Sequence, residues 1–452
     1  MLTYFGFKMS ALLSSLTSTL QVIWPSVAVT GPILFVMCLL ALLNTFQLAS
    51  TAELATVLAC VFVLLELPRL KPGQRKQIGM LAGIGFAFAL WAWVQGSDLA
   101  LLDLLEEHLK LVMLLTAVNF IGLATRLERS GEMRGLGSFS FTLGGMHLFS
   151  AIANFSSVLM VGDQVKRNDR VDALSQMILS RGFGLAVLWS PFLSILALVL
   201  EQVPGAELYS IYPFSISLAL LGLLLCVLDA KLRFPQQLAG YDGYPLKAST
   251  LTLPVVMMAC VLLMTALYPA LPTVAVVSSV AILAPLALVS FRQGPVSGVG
   301  TLGWHITTKL ADARAEISLF LAAGILAGGV KACISVGLIA LPFTETNAFV
   351  ASVVLCAVVF LAHIGLHQLA VVAILAGLLA DVTTTPTLMA VAYVLATALS
   401  MSGSTFSGLS FILQARFYTK PRDILSVNLP FTLAMLAAGC GILFLMETMG
   451  VS

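Results

Sequence analysis

Residues 147–161, HLFSAIANFSSVLMV, and residues 362–375, AHIGLHQLAVVAIL, are apolar stretches each carrying a polar tip. Each is followed by a long apolar helix with a Ser/Gly/Pro interruption. The first is at 180–194, SRGFGLAVLWSPFLS, and the second at 398–412, ALSMSGSTFSGLSFI. One half of the chain therefore repeats the organisation of the other. Paired interrupted apolar segments in corresponding halves mark the place where a membrane chain lines a polar site near its midplane.

The composition leaves only the bilayer as solvent. The chain has 452 residues, of which 59% are hydrophobic and 10% charged, with a mean hydropathy of +1.03. A soluble domain carries roughly 25% charged residues. Apolar runs long enough to cross a ~30 Å hydrocarbon core recur from Pro32 to Met446, and no polar region is large enough to fold in water. The seven cysteines are scattered through apolar segments without CxxC spacing, which suggests neither disulfides nor a metal site. No nucleophile constellation or phosphate loop appears, so an enzyme is not expected, nor is a nucleic-acid partner. Residues 1–21 are mildly polar and lack a signal-cleavage pattern; they are expected as a cytoplasmic lead-in.

Charge placement sets the topology. Lys and Arg cluster at 69–76, 126–134, 166–170, 231–247, 292–314 and 416–422. Assigning those loops and Lys8 to the cytoplasm satisfies the positive-inside bias for all basic residues but Lys110, Arg181 and Lys331. The spans then fall at 28–45, 52–67, 78–95, 109–128, 171–201, 211–230, 249–268, 271–290, 315–333, 385–416 and 425–447. The stretch 138–165 has basic clusters on both sides and so predicts a hairpin from the cytoplasm, whereas 349–380 predicts one from outside. The expectation is an all-α integral membrane protein with about 11 transmembrane helices and two re-entrant hairpins in an inverted-topology repeat. Its parts are N-terminal scaffold spans (1–108), a first repeat unit (109–230), scaffold spans with an amphipathic linker (231–314) and a second repeat unit (315–452).

Polar groups at the tips and breaks carry the expected chemistry. Asn154, Ser156 and Ser157, with Ser150 one turn earlier, offer uncharged oxygens to a hard cation or hydrogen bonds to a solute. Interhelical packing is the plainer role for such residues. Arg181 lies inside an apolar helix, where a charge is costly, and guanidinium suits an oxyanion. Ser190-Pro191 and Gly403-Ser404-Thr405 interrupt two helices, freeing carbonyls and aiming half-helix N-termini at an anion. His147, His363 and His367 stand at the hairpins, where a proton relay is one role and a backbone-bonded neutral ring the other. The expected solute contacts are Asn154, Ser156, Ser157, Arg181, Ser190, His367, Ser404 and Thr405. The expected coupling-ion contacts are Ser150, Asn154, His363, His367 and Ser402.

With these residues in place, the pattern resembles the ion transporter superfamily, which includes divalent anion/sodium symporters and arsenite-pump-like permeases. The run 153–157, Ala-Asn-Phe-Ser-Ser, looks like that family's first hairpin tip and Ser190-Pro191 like its first break. Residues 402–405, Ser-Gly-Ser-Thr, look like the second break, whereas His367-Gln368 stands where the second tip would have Asn-Thr. The resemblance implies an elevator mechanism in a homodimer, with a scaffold built from the early spans and 249–290. It also implies Na⁺ as a candidate coupling ion, and the histidines make H⁺ its competitor. The expected function is secondary active transport of a small carboxylate-like anion across the inner (plasma) membrane. A proton-coupled efflux permease for a metalloid or other small toxic solute is the alternative.

Overall fold

The computed structural model describes residues 26–125, 127–339 and 344–452. The expected lead-in at 1–21 and Arg126 of one basic cluster lie outside them. Among the described residues the chain is all-α, with isolated bridges at Arg129–Leu246 and Arg167–Arg170 as the only β pairing. The first group of helices is α1 (Val27–Thr45), α2 (Ala52–Glu66), α3 (Pro72–Val94) and α4 (Leu109–Val118). The middle of the chain gives α5 (Gly135–Ala153), α6 (Phe155–Val165), α7 (Ala173–Ala186), α8 (Ser194–Gln202) and α9 (Leu208–Arg233). Then come α10 (Ala248–Leu267), α11 (Thr273–Gln293), α12 (Pro295–Thr308) and α13 (Arg314–Ser335). The last five are α14 (Ala348–His363), α15 (Gln368–Leu379), α16 (Pro386–Gly403), α17 (Gly408–Phe417) and α18 (Pro421–Thr448).

Local sequence accounts for many of these limits. Pro72, Pro295, Pro386 and Pro421 open helices at the position where a missing N–H costs nothing. Asp172 and Asn347 cap α7 and α14 by accepting from the amides of Ser175 and Val350. Nine helices among the described residues are long and apolar enough to span a bilayer. Leu220, Leu224 and Leu228 on α9 turn outward, as lipid-facing leucines do. The chain is a multi-pass membrane protein. Three expected spans differ in detail. The second is a helix of only 15 residues, the fourth passes into a 3-10 turn after Val118, and 171–201 is split between α7 and α8.

Packing sorts the helices into two groups. In one, α3 lies along α13, while α4, α11 and α12 surround α1. In the other, α5 and α9 pack on α7, and α14 and α18 pack on α16. The groups meet chiefly where α13 crosses α15. The α3–α13 crossing is backbone against backbone. A Cβ on Gly329 would lie 2.3 Å from the Gly85 carbonyl oxygen, and one on Gly85 would lie 2.6 Å from the Leu326 amide nitrogen. Small residues allow such close approach between membrane helices.

Hydrogen bonds at their ends show how the two hairpins enter. The Gly135 amide, opening α5, donates to the Tyr241 carbonyl at 2.8 Å. Beyond the far arm, Ser175 Oγ lies 3.0 Å from the Tyr241 hydroxyl. Both ends of the α5–α6 hairpin therefore sit together. The α14–α15 hairpin closes likewise, with Thr346 Oγ1 2.8 Å from Thr385 Oγ1 and accepting from the Thr384 amide at 3.0 Å. Between these places runs the segment Pro386–Phe417, and at its far end Arg416 Nη2 meets Asp163 of α6 at 3.0 Å. The hairpins thus enter from opposite ends.

The three basic residues that break the charge bias are each ion-paired. Lys110 Nζ lies 2.6 Å from Glu201 and Arg181 Nη1 2.8 Å from Asp229, while Lys331 pairs with Glu107. His108 and His305 are also buried; His108 Nδ1 is 3.1 Å from the Phe320 carbonyl oxygen.

Candidate functional site

Two bends and two breaks converge on one cavity. Asn154 turns α5 into α6 with φ +48°, and Gly365 follows α14 with φ +108°, both in the region that favours glycine. Ser190 and Ser404 sit in the breaks. The Ser190 hydroxyl donates to the Ala151 carbonyl of the first hairpin and accepts from the Phe192 amide at 3.2 Å. The Ser404 hydroxyl donates to the Ala362 carbonyl of the second hairpin at 2.7 Å and accepts from the Phe406 amide at 3.1 Å. This common register makes Gly365, not His367-Gln368, the counterpart of Asn154.

The cavity has a volume of about 260 Å³. Four helices begin on its wall: α6 at Phe155, α8 at Ser194, α15 at Gln368 and α17 at Gly408. The caps of the first three, Asn154, Leu193 and His367, accept no hydrogen bond through their side chains, whereas Ser407 accepts from the Ser410 amide. Unsatisfied first-turn amides and aligned helix dipoles both favour an anion. The opposite wall comes from Gln74, Gln77 and Ile78 of α3 and from Ala315, Glu316, Leu319 and Phe320 of α13. These lie at or near the helices' first turns, so the hairpin tips are level with one end of the α3–α13 pair. Thr397 and Met401 of α16 complete the polar and soft parts of the lining.

Of the expected residues, Asn154 and His367 are on this wall. His367 Nδ1 is buried and without a hydrogen-bond partner among the described residues. Ser150 and Ser157 are buried and bonded to each other at 2.9 Å, and donate to the Met146 and Asn154 carbonyls respectively. Ser156 is exposed. Ser190 and Ser404 act as the links just described, Ser402 donates within its own helix to the Ala398 carbonyl, and the Thr405 carbonyl accepts from Gln414 Nε2 at 2.9 Å. His363 Nδ1 is 2.7 Å from the Val359 carbonyl oxygen. His147 is held on both nitrogens, accepting from Trp189 Nε1 at 2.9 Å and lying 3.3 Å from the Gly182 carbonyl oxygen.

Arg181 stands apart from this wall. It is fully buried and off the cavity wall. Besides Asp229, its Nε donates to Asn428 Oδ1 at 3.1 Å and its Nη2 to the Val427 carbonyl at 2.7 Å, and its guanidinium lies 4.4 Å from the Phe431 ring centroid. With its charge answered in this way, Arg181 ties α7 to α9 and α18 rather than facing a solute. Sequence reasoning in turn missed Glu316, which follows the 292–314 basic cluster so closely that it reads as an ordinary membrane-edge residue.

Neither a protein-family model nor a curated protein matches the sequence. Among solved structures, the crystal structure of the Alcanivorax borkumensis YdaH transporter, described as having an unusual topology, is similar. The two share 15% sequence identity over 89% of this chain and 99% of that one, with a TM-score of 0.45.

Proposed function

We propose that this chain is a secondary active transporter of a small carboxylate-like anion, coupled to H⁺ or Na⁺. The observation that carries the reading is the convergence of four helix N-termini, two from hairpins and two from breaks, on one cavity. Such a site can hold a negative charge without a fixed cation. The opposed hairpins and the shared Ser190 and Ser404 register support an inverted-topology repeat. An elevator motion is supported by the narrow meeting of the two helix groups and by a site level with one end of α3 and α13. Glu316 and His367 are titratable groups on the wall and favour H⁺ as the coupling ion. In this reading the basic end is cytoplasmic, as is the N-terminus, the membrane is the inner (plasma) membrane, and the scaffold helices form a homodimer.

The test is a thermal-stability screen of purified protein with mono-, di- and tricarboxylates, with and without Na⁺, at mildly acid and mildly alkaline pH. A solute at a hundred times its dissociation constant adds ~2.7 kcal/mol. Stabilisation by a carboxylate, and its dependence on Na⁺ or pH, supports the reading and names the ion. The largely apolar wall favours a second reading, a proton-coupled efflux permease for a small toxic solute. Stabilisation by neutral or cationic solutes alone selects it.

A further inference from the structure

This inference rests on the transport reading and narrows its solute. Phe155, Phe183, Leu193, Phe320, Phe411 and Ile412 give the cavity an apolar body. Phe155 and Phe183 are stacked, with ring centroids 5.0 Å apart and planes 11° from parallel. Among the described residues, no lysine or arginine lies on this wall. Among the same residues its carboxylate is Glu316, to which no described residue gives a hydrogen bond or ion pair; the adjacent Arg314 is turned to Glu66 and Asp312 instead. A second crevice of about 390 Å³ between α3 and α15 shares Gln77 and His367 with the cavity. Lys76 is the charged residue on the wall of that crevice, and Met80, Leu81, Leu366 and Ile374 are its larger apolar groups. Met80 and Leu366 are exposed, so this adjoining crevice is largely apolar, with Lys76 as the cation among its described residues.

We infer that the solute is a monocarboxylate with an apolar body about the size of one aromatic ring, and that Glu316 is the specificity residue that rejects a second carboxylate. The body gains from leaving water for the aromatic wall, and the one charge settles at the helix N-termini. A second charge has no cation to meet it there. It faces Glu316 across a cavity lined largely by apolar groups, where like charges repel more strongly than in water. Specificity of this kind comes from a repulsive element as much as from an attractive one.

Calorimetric titration of the purified full-length protein at mildly alkaline pH, which keeps Glu316 charged, with phenylacetate, phenylsuccinate and phenylacetamide tests this. Phenylacetate should bind, with phenylsuccinate at least about tenfold weaker, a gap worth ~1.4 kcal/mol. Glu316→Gln should close most of that gap, and Glu316→Asp, which keeps the charge, should preserve it. Equal binding of phenylsuccinate by the wild-type protein overturns the inference with no variant needed, as does an unchanged gap in a folded Glu316→Gln protein. Binding of phenylacetamide as tight as phenylacetate overturns the anion reading itself. If none of the three binds, the proposed solute class falls, while the carboxylate screen decides separately whether an anion site remains.

Discussion

Ser190 and Ser404 stand in the same relation to their two hairpins: each hydroxyl bridges a carbonyl three residues before a hairpin bend and an amide two residues ahead in its own break. Both side chains are buried. Replacing either with alanine removes the bond to the hairpin and leaves the break amide, Phe192 or Phe406, without its side-chain partner, at a cost of about 1–3 kcal/mol. Ser190→Ala and Ser404→Ala should each lower the unfolding midpoint in detergent. Ser156→Ala, at the exposed tip, should fall within ~0.5 kcal/mol of wild type. Equal midpoints for all three would remove the link from the fold.

The two bends should respond oppositely to glycine. Gly365 has φ +108°, and Gly365→Ala should lose about 1–3 kcal/mol through backbone strain. Asn154 already carries a side chain at φ +48°, so Asn154→Gly should leave the unfolding midpoint near wild type and weaken solute binding. A pair of denaturation curves alongside a binding titration separates the two effects.

Arg181→Gln should be a stability mutant. Breaking a buried ion pair from one side costs about 3–5 kcal/mol, and here it leaves Asp229 with Arg233 alone, at 3.2 Å. Adding Asp229→Asn should recover part of the loss, a coupling that a double-mutant cycle measures. If Arg181→Gln unfolds like wild type yet loses carboxylate binding, the arginine faces the solute after all.

Acid should loosen the tie between the first hairpin and α17. Burial alone raises the Asp163 carboxyl, but hydrogen bonds from Arg416 and Lys166 outweigh it and hold the group below the ordinary carboxylate value. Its contribution is therefore present above about pH 3.9, the unfolded value, and is lost as the pH falls through the folded one. The stability gap between wild type and Asp163→Asn should be constant near neutrality and close on acidification. A gap that widens in acid would refute the pairing.

Much of the fold was legible because the bilayer restricts what a sequence can do. Apolar run length, basic clusters and the Ser/Gly/Pro interruptions placed nearly every helix and both hairpins. Long-range pairing was not legible. Nothing near Arg181 shows that Asp229 and Asn428 will surround it, since both come from helices distant in sequence, and a lone intramembrane arginine reads as a ligand until its partners are known. The register that equates Asn154 with Gly365 depends on the Ser404–Ala362 bond, which sequence alone does not show, so the more polar His367-Gln368 drew the eye. Similarly, His147 could not be told from a proton carrier until Trp189 was found against it. Sequence was most informative about elements and least about which polar group faces which.

Helices that begin at a cavity make it receptive through the main chain, and this has a consequence for how the protein tolerates change. No single substitution deletes a row of backbone amides. Side chains such as Thr397, Met401 and Phe411 can drift without removing those amides from the wall. What drift can alter is the shape and size of the guest. Under the proposed function, a lineage built on this architecture would be free to exchange cargo while keeping the sign of its charge.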